Sequence, residues 1–474
     1  MKHTLLLLLS VWFLQPAFAQ ENNYWNAQYG CNSSLLGGAV VSSYCDNGAL
    51  FYNPATVAFK DSGTISISAN VYKLEDIKLS NVLGNGIDLK NFNYGILPQL
   101  ISGSFHTGKN TELGFIIITR NDVDFAFSQA LHSISNIMPS YWTADTVRRY
   151  DFIASFEGRT RIYETWGGLS GSYRVNKHFS LGMTHFLAYR YQKFQRNMNI
   201  TALGLDDSTY SYSANFQSLQ NVLMNNFSYI LKLGAAYKSD RVNAGLAITL
   251  PSLNLGGIGN ATSEWYLNNS TQYGNDSYLL FDKENNRPFK YKTPLSMSLG
   301  TCIKFSKTKL YLSGEFFAPI APYSVFSPVN DTSYKSNKIV RFNSDSVSGI
   351  TKFANPVLNF ALGLEQRLNN KYSLLMGINS DFSAANPDNV MYEYNDISYT
   401  YINLWHFSAG LRVINKKKIV SIGLLTAYGK ISQQPQFADL RTPNDIEESQ
   451  MMGIPQETAG FRYRGIALVL GINY

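Results

Sequence analysis

Residues that could carry out covalent or metal chemistry are few and scattered in this sequence. The 474 residues include three cysteines and six histidines. None of the cysteines has the spacing of a metal-ligand pair. No linear motif brings together the serine, histidine and carboxylate that a hydrolase would need. The sequence therefore predicts neither a metal site nor an enzyme.

The first residues have the pattern of an export signal. A basic start at Lys2 leads into an apolar run from Leu5 to Leu14, and Ala17-Phe18-Ala19 places small residues where a signal peptidase cuts. The run is shorter than the roughly 20 apolar residues that span a bilayer. We therefore interpret residues 1–19 as a signal peptide that is removed.

Export into an oxidising compartment would allow two of the cysteines to pair. Thirteen residues separate Cys31 from Cys45, so a disulfide between them is one expectation and two free thiols are the other. Cys302 falls in a candidate strand, where a small buried side chain is expected.

The composition is unusual for a soluble protein. Aromatic residues make up 14% of the chain and charged residues only 15%, against roughly 25% charged residues in soluble domains. The mean hydropathy is −0.14. Outer-membrane β-barrels have this combination, because aromatic girdles flank a lipid-facing band and polar side chains fill the lumen. The net charge of +7 is too small, without a basic stripe, to predict a nucleic-acid partner.

The strand elements are visible as alternation of apolar with polar or small residues. At the end of the chain Ile466, Leu468, Leu470, Ile472 and Tyr474 alternate with small or polar residues. Such a period of two predicts a strand with one buried face. In a membrane barrel the apolar face would meet lipid and the other face would line the lumen.

Short polar turns allow the strands to be counted. Six of them lie between alternating runs, as hairpins require: residues 106–111, 175–178, 238–241, 306–309, 368–371 and 415–418. With an opening strand near 62–73 and a closing strand near 460–474, they predict an all-β transmembrane antiparallel barrel of about fourteen strands. The polar segments 251–293, 318–356 and 432–459 are expected to be extracellular loops.

The segment before the first strand resembles a known family. The stretch GGAVVSSYCDNGALFYNPATVAF, with Gly37, Gly38, Asp46 and the triplet Asn53-Pro54-Ala55, looks like the N-terminal hatch of the FadL-type outer-membrane transport proteins. The resemblance implies a hatch over residues 20–61 that plugs a barrel over residues 62–474 in the outer membrane. It further implies passive uptake of hydrophobic molecules, long-chain fatty acids first, through a lateral gap and without a cofactor.

A fatty carboxylate would need a cation near the pocket mouth. Arg159 and Arg161 lie in a candidate strand and are the predicted ligand-binding cations, although a lumen arginine can equally pair with a lumen carboxylate. The predicted loop 122–149 contains Leu131, Ile134, Ile137 and Met138 at near-helical spacing, which predicts a short helix that either collects ligand or packs the loop onto the rim.

Partners other than lipid and a hydrophobic ligand stay open at this point. FadL-like barrels include components that pass cargo proteins to a secretion machine, so a protein partner at the large loops is the alternative function. A hydrophobic pocket between hatch and wall would favour transport. A wide lumen with loops shaped for a protein would favour secretion.

Overall fold

The computed structural model describes residues 22–60, 63–137, 148–205, 213–271, 274–329, 333–335, 338–340, 348–385, 401–415, 418–443, 451–455 and 457–474. The predicted signal peptide, residues 1–19, lies outside these ranges.

Twenty strands are numbered here in chain order. They are β1 (Thr64–Ser80), β2 (Leu89–His106), β3 (Thr111–Ile137), β4 (Arg148–Arg174), β5 (Phe179–Gly204), β6 (Ser213–Lys238), β7 (Val242–Thr249), β8 (Leu253–Thr271), β9 (Gly274–Pro288), β10 (Ser296–Lys304), β11 (Thr308–Phe317), β12 (Ile320–Phe326), β13 (Ser333–Lys335), β14 (Lys338–Val340), β15 (Ile350–Ala354), β16 (Val357–Arg367), β17 (Tyr372–Asp381), β18 (Leu404–Asn415), β19 (Lys418–Pro435) and β20 (Thr458–Asn473).

Fourteen of these strands form a closed antiparallel barrel. Each pairs with its neighbours in the order β1 to β7, β10, β11 and β16 to β20. The ring closes where β20 pairs with β1, from Ser66 opposite Asn473 to Ser80 opposite Gly460. The predicted barrel and its strand number are thus confirmed.

All six predicted turns join consecutive barrel strands at one end of the barrel. The turn between β2 and β3, for example, occupies the residues between His106 and Thr111, and that between β4 and β5 the residues between Arg174 and Phe179. The barrel's first and last strand ends, at Thr64 and Asn473, lie at the same end. We call it the short-turn end and the opposite one the long-loop end.

Side chains along the strands alternate between the lumen and the outside, with the apolar ones outside. On β20, Ile466, Leu470 and Ile472 are exposed while Ala467 and Val469 are buried. A water-soluble sheet would bury the large side chains instead, so this inversion is the physical signature of a wall that faces lipid. The described helices are too short or too polar to cross a bilayer.

The segments predicted as long loops contain further strands. Strand β8 continues the wall by pairing with β6, and β9 pairs with β8. A separate two-stranded sheet joins β12 to β15. The loop prediction for 251–293 and 318–356 was therefore wrong in part. A strand that extends beyond the apolar band has polar side chains on both faces, so its sequence does not alternate in hydrophobicity.

The predicted helix within 122–149 is a correction of the same kind. Strands β3 and β4 occupy its described residues as an antiparallel pair, from Thr111 opposite Tyr173 to Ile137 opposite Arg148. Leu131 is half-buried and Ile134 is exposed, because the two side chains lie on opposite faces of β3. Met138 lies outside the described residues. The near-helical spacing was a coincidence of three apolar residues in a strand.

The described N-terminal segment, residues 22–60, is almost wholly buried and irregular. It contains two short helices, Cys31–Leu35 and Ala49–Tyr52, and a 3-10 helix, Pro54–Phe59. Of its large side chains, Tyr29, Leu35, Leu36 and Leu50 have at most 1% of their surface exposed.

Candidate functional site: a lumen chamber beside an unpaired wall

A buried carboxylate organises the N-terminal segment. Asp46 accepts hydrogen bonds from the backbone N–H groups of Asn32 (2.8 Å), Ser33 (3.1 Å) and Gly48 (3.0 Å), and from the Ser33 hydroxyl (2.7 Å). Burial raises the pKa of Asp46 above its ordinary value, while these four hydrogen bonds oppose that shift. Gly30 has φ +80°, and a side chain there would collide with Asp46.

The Asn53-Pro54-Ala55 triplet fastens the segment to one side of the wall. The Asn53 amide donates to the carbonyl oxygens of Val41 (2.8 Å) and Ala235 on β6 (3.0 Å). The hydroxyl groups of Ser172 and Ser180 donate to the Pro54 and Ala55 carbonyls, both at 2.7 Å. The wall can approach so closely because Gly182 and Gly234 face the triplet, where a Cβ would overlap its atoms.

The helix Cys31–Leu35 contacts the opposite side. Ser408 on β18 donates to the Leu35 carbonyl (2.9 Å), and Ser421 on β19 donates to the Asn32 side chain (2.6 Å). Gly37 and Gly38 follow with φ of +64° and +74°, and Gly37 passes against the backbone of β17 near Gly377. The segment therefore spans the lumen from β4–β6 to β17–β20.

The two N-terminal cysteines are both free, which is the second of the two alternatives that the sequence left open. The Cys31 thiol donates to the Ser421 carbonyl (3.3 Å) and packs against Gly471 of β20. It is thus directed at the wall. Cys302, on β10, is also free and is fully buried, as its place in a strand predicted.

A chamber lies between residues 26–28 of the N-terminal segment and the wall strands β1–β3 and β17–β20. Its enclosed cavity is about 80 Å³, within about 820 Å³ of space that includes open solvent. Its apolar lining includes Leu97, Val123, Leu404 and Leu425. The chamber is therefore bounded by both the segment and the barrel.

The chamber is more polar than a purely hydrophobic pocket would be. Six buried polar atoms of its lining have no hydrogen-bond partner among the described residues: Asn26 Oδ1, Ser34 Oγ, Asn70 Oδ1, Gln99 Oε1, Asn379 Nδ2 and His406 Nε2. Of these, His406 Nε2 lies 3.6 Å from the Asp381 carboxylate. Buried polar atoms are normally satisfied, so such a concentration indicates a place for water or for a polar group of a ligand.

The wall beside the chamber lacks its backbone ladder. Strand β2 pairs with β3 only from His106 opposite Glu112 to Leu100 opposite Ile118. Beyond that point β2 pairs with β1 alone and β3 with β4. Pro98, which has no N–H to donate, lies where the pairing stops. The described edges of β2 and β3 are therefore unpaired next to the chamber.

Side chains bridge these two edges further towards the long-loop end. The amide of Asn91 donates to the Ala126 carbonyl (2.6 Å), and that of Asn93 donates to the Asp124 carbonyl. A backbone-to-backbone ladder has no room for such bridges. The two edges are thus held about one side chain apart. Gln99 of β2 and Thr119 of β3 lie at these edges and line the chamber.

A bulge in β3 connects the unpaired edge to the N-terminal segment. The register against β4 shifts between Thr119 and Asn121, which leaves Arg120 as the extra residue. Its guanidinium donates to the Tyr24 carbonyl and to the Tyr29 hydroxyl, the latter at 3.5 Å. The bulge therefore turns a cation inward onto the segment at the gap.

The predicted ligand-binding residues lie elsewhere. Arg159 and Arg161 project from the outer face of β4, since Thr160 and Ile162 take the buried positions between and beside them. Arg159 forms two hydrogen bonds with Asp124, at 2.9 and 2.6 Å. Neither these arginines nor Leu131 and Ile134 line the chamber. Ligand binding by these four residues therefore stays a prediction, because spacing along one strand does not reveal which face is the lumen.

Comparison with solved structures finds barrels of the same kind over nearly the whole chain. A Pseudomonas aeruginosa FadL homologue aligns with a TM-score of 0.56 at 15% identity, covering 98% of this chain and 99% of that one. The Pseudomonas putida toluene transporter TodX gives 0.53 at 14%, covering 94% and 98%. The Ralstonia pickettii toluene transporter TbuX gives 0.50 at 14%, covering 94% and 98%.

The chain has the FadL-type barrel fold. Identities of this size establish the shared fold and leave the ligand open. No protein-family model and no curated protein matches the sequence. Within the FadL-type fold of this chain, the described residues include no group of three or more His, Cys, Asp or Glu side chains arranged to hold a metal ion.

Proposed function

We propose that this protein is a FadL-type outer-membrane channel for the passive uptake of hydrophobic small molecules. The observation that carries the proposal is the chamber's contact with the unpaired edges of β2 and β3. A molecule in the chamber could leave sideways between these edges into the bilayer, without crossing a water-filled pore. The solved structures with this fold include proteins described as toluene transporters, which supports a hydrophobic cargo.

The orientation follows from the connections. Outer-membrane barrels place short turns in the periplasm and long loops outside the cell. The short-turn end would therefore face the periplasm, with the exposed apolar belt in contact with outer-membrane lipid. The N-terminal segment would act as a hatch, since it fills the lumen between opposite walls and would block the flow of polar solutes.

The chamber lining favours a ligand with an apolar body and one polar end. Burial supplies about 0.8 kcal/mol for each methylene, and the unpartnered polar atoms can bond to a head group. Both cations of the lining are engaged, because Lys73 pairs with Glu75 (2.9 Å) and Arg120 with the N-terminal segment. We therefore propose long-chain fatty acids in their protonated form as the ligand class. The carboxyl O–H would donate to an amide oxygen such as Gln99 Oε1, and the carboxyl C=O would accept from an amide N–H such as Asn379 Nδ2.

Uptake into proteoliposomes tests this proposal. Labelled palmitate, a long-chain alcohol and toluene should all equilibrate faster than in protein-free liposomes, and none should accumulate above its outside concentration. Replacing Gln99 and Asn379 together with leucine should lower palmitate uptake about tenfold, as the loss of two hydrogen bonds implies, while toluene uptake is kept. Asn110→Leu, on the exposed turn between β2 and β3, is the control. Palmitate uptake equal to that of protein-free liposomes would refute the proposal.

The alternative function, handling of protein cargo in secretion, has less support. The N-terminal segment crosses the lumen, and the enclosed cavity beside it, about 80 Å³, is far too small for a folded protein. A protein that co-purifies with the barrel, together with absent uptake of every small molecule tested, would favour that role instead.

A further inference from the structure

A row of four cations crosses the outer face of the barrel. The register places Lys90 of β2 opposite Lys78 of β1, Lys78 opposite Arg462 of β20, and Arg462 opposite Lys430 of β19. All four side chains project outward, on strands about 4.8 Å apart. Two residues along β20 towards the short-turn end, on the same outer face, Arg464 adds a fifth cation opposite Asp76. We call these five residues the cation row.

The carboxylates beside the row neutralise only part of it. Lys78 pairs with Asp88 (2.6 Å) and Arg462 with Asp76 (3.0 Å). Asp124, across the gap, is held by Arg159. Five cations and the two carboxylates that pair within the row leave a net charge of +3. Lys90 and Lys430 form no ion pair with a described residue, and both are exposed.

Directly below the row, the outer face becomes aromatic and then aliphatic. Phe92, Tyr94 and Tyr72 are 64%, 83% and 65% exposed, and Tyr428 lies beside Arg464. Ile466, Leu470 and Ile472 continue to Tyr474 at the short-turn end. This order of cations, aromatic rings and aliphatic side chains matches the passage from the head-group region into hydrocarbon.

The height of the row agrees with that boundary. Arg462 lies twelve residues from Tyr474 on β20. A strand that rises about 3.3 Å per residue and tilts by about 40° spans roughly 30 Å of bilayer over that length, slightly more than the apolar band of about 25 Å. The cation row therefore lies at the level of the outer-leaflet head groups.

We propose that the cation row is a binding site for the phosphate head group of an outer-leaflet lipid, whose acyl chains pack along the aromatic and aliphatic face below. Phosphate suits the site because ammonium and guanidinium groups bond to its oxygens in charge-assisted pairs. The proposal rests on the outer-membrane placement above. Since β2 also forms one edge of the gap, the bound lipid would stand beside the exit of the chamber.

Native mass spectrometry of the full barrel in neutral detergent tests the site. Diphosphoryl lipid A should bind more tightly than phosphatidylcholine, and added salt should weaken its binding. The double variant Lys90→Gln, Lys430→Gln should bind lipid A about tenfold more weakly, the scale of two exposed charge contacts. The matched control, Lys109→Gln with Lys177→Gln on the short turns, removes the same charge and should bind as the wild type does.

Three outcomes would contradict the proposal. Equal weakening in both double variants would mean that only net charge matters. If lipid A bound no better than phosphatidylcholine, the cation row would not be a lipid site. If inorganic phosphate at millimolar concentration displaced the lipid fully, the cation row would be a site for the free anion. Uptake into proteoliposomes separates the two proposals, because a barrel that binds lipid A yet transports nothing would overturn the channel and keep the lipid site.

Discussion

At the scale of single residues, Asp46 and Asn53 of the N-terminal motif have structural roles that their residue types alone do not predict. Asp46 accepts four hydrogen bonds inside the segment, and Asn53 ties it to the wall. The sequence resemblance named these residues, but it could not say which partners they bind. The partners of Asp46 lie 2 to 14 positions away, within the segment itself. Ala235, a partner of Asn53, lies 182 positions away on β6, and only the closed barrel brings it to the segment.

Replacing Asp46 should loosen the N-terminal segment. Asp46→Ala leaves three buried backbone N–H groups and one hydroxyl without an acceptor, at a cost of about 1–3 kcal/mol for each group left unsatisfied. We expect a protease added to the solubilised barrel to cleave the segment in this variant and to spare it in the wild type. Asp46→Asn keeps one acceptor oxygen and should give an intermediate rate. Equal protection of the alanine variant would contradict the assigned role.

The residues that line the chamber were missed by sequence reasoning. Gln99 lies 280 positions before Asn379, and His406 is on the strand that follows. Nothing in their local sequence distinguishes a lumen-facing polar residue from one on a loop. Arg159 and Arg161 were chosen because they are charged within a strand. The alternation of residue types along the strand was correct, but alternation alone does not show which of the two faces lines the lumen.

At the scale of elements, the hairpins were predictable and the irregularities were not. Short turns rich in Asn, Lys and Gly between alternating runs gave all six hairpins their correct places. The bulge turns Arg120 onto Tyr24 and Tyr29, which the local sequence of β3 does not reveal. Pro98 was the one local signal, because proline inside a strand marks an edge or a break in pairing.

Hydrogen exchange should detect the unpaired edges. The β3 amides that face β2 beyond Ile118 have no backbone acceptor across the gap, whereas those between Glu112 and Ile118 do. Peptides that cover residues 119–127 should therefore exchange faster than peptides that cover 111–118 in the detergent-purified barrel. Strand β2 offers the internal comparison, because peptides that cover residues 93–99 should exchange faster than peptides that cover residues 101–106. Uniform protection along both strands would contradict an open edge.

At the scale of the whole molecule, composition and periodicity were enough for the barrel. The closure and the outward apolar face follow from rules that apply to any outer-membrane barrel, and the number fourteen came from the count of short turns. The long-loop end was predicted least well, since β8, β9 and the extended β3–β4 hairpin rise beyond the apolar band and lose its pattern. That the N-terminal segment works as a hatch stays a prediction, although its contacts with both sides of the lumen support it.

The central claim is that ligand leaves the chamber through the gap between β2 and β3, and a reversible cross-link tests it most directly. Gln99→Cys with Thr119→Cys, in a background with the three native cysteines replaced by serine, would be joined by a reducible bifunctional reagent. The pair Ser102→Cys with Ile116→Cys, opposite each other in the paired part of the wall, controls for cross-linking. Each single variant treated with a monofunctional reagent controls for bulk in the chamber.

Palmitate uptake by proteoliposomes is the measurement. We expect linkage of residues 99 and 119 to lower uptake to the rate of protein-free liposomes, and reduction of the linker to restore it, while the control pair and the single variants keep most of their activity. Full linkage with unchanged uptake would contradict the lateral route and would require the ligand to pass the N-terminal segment instead.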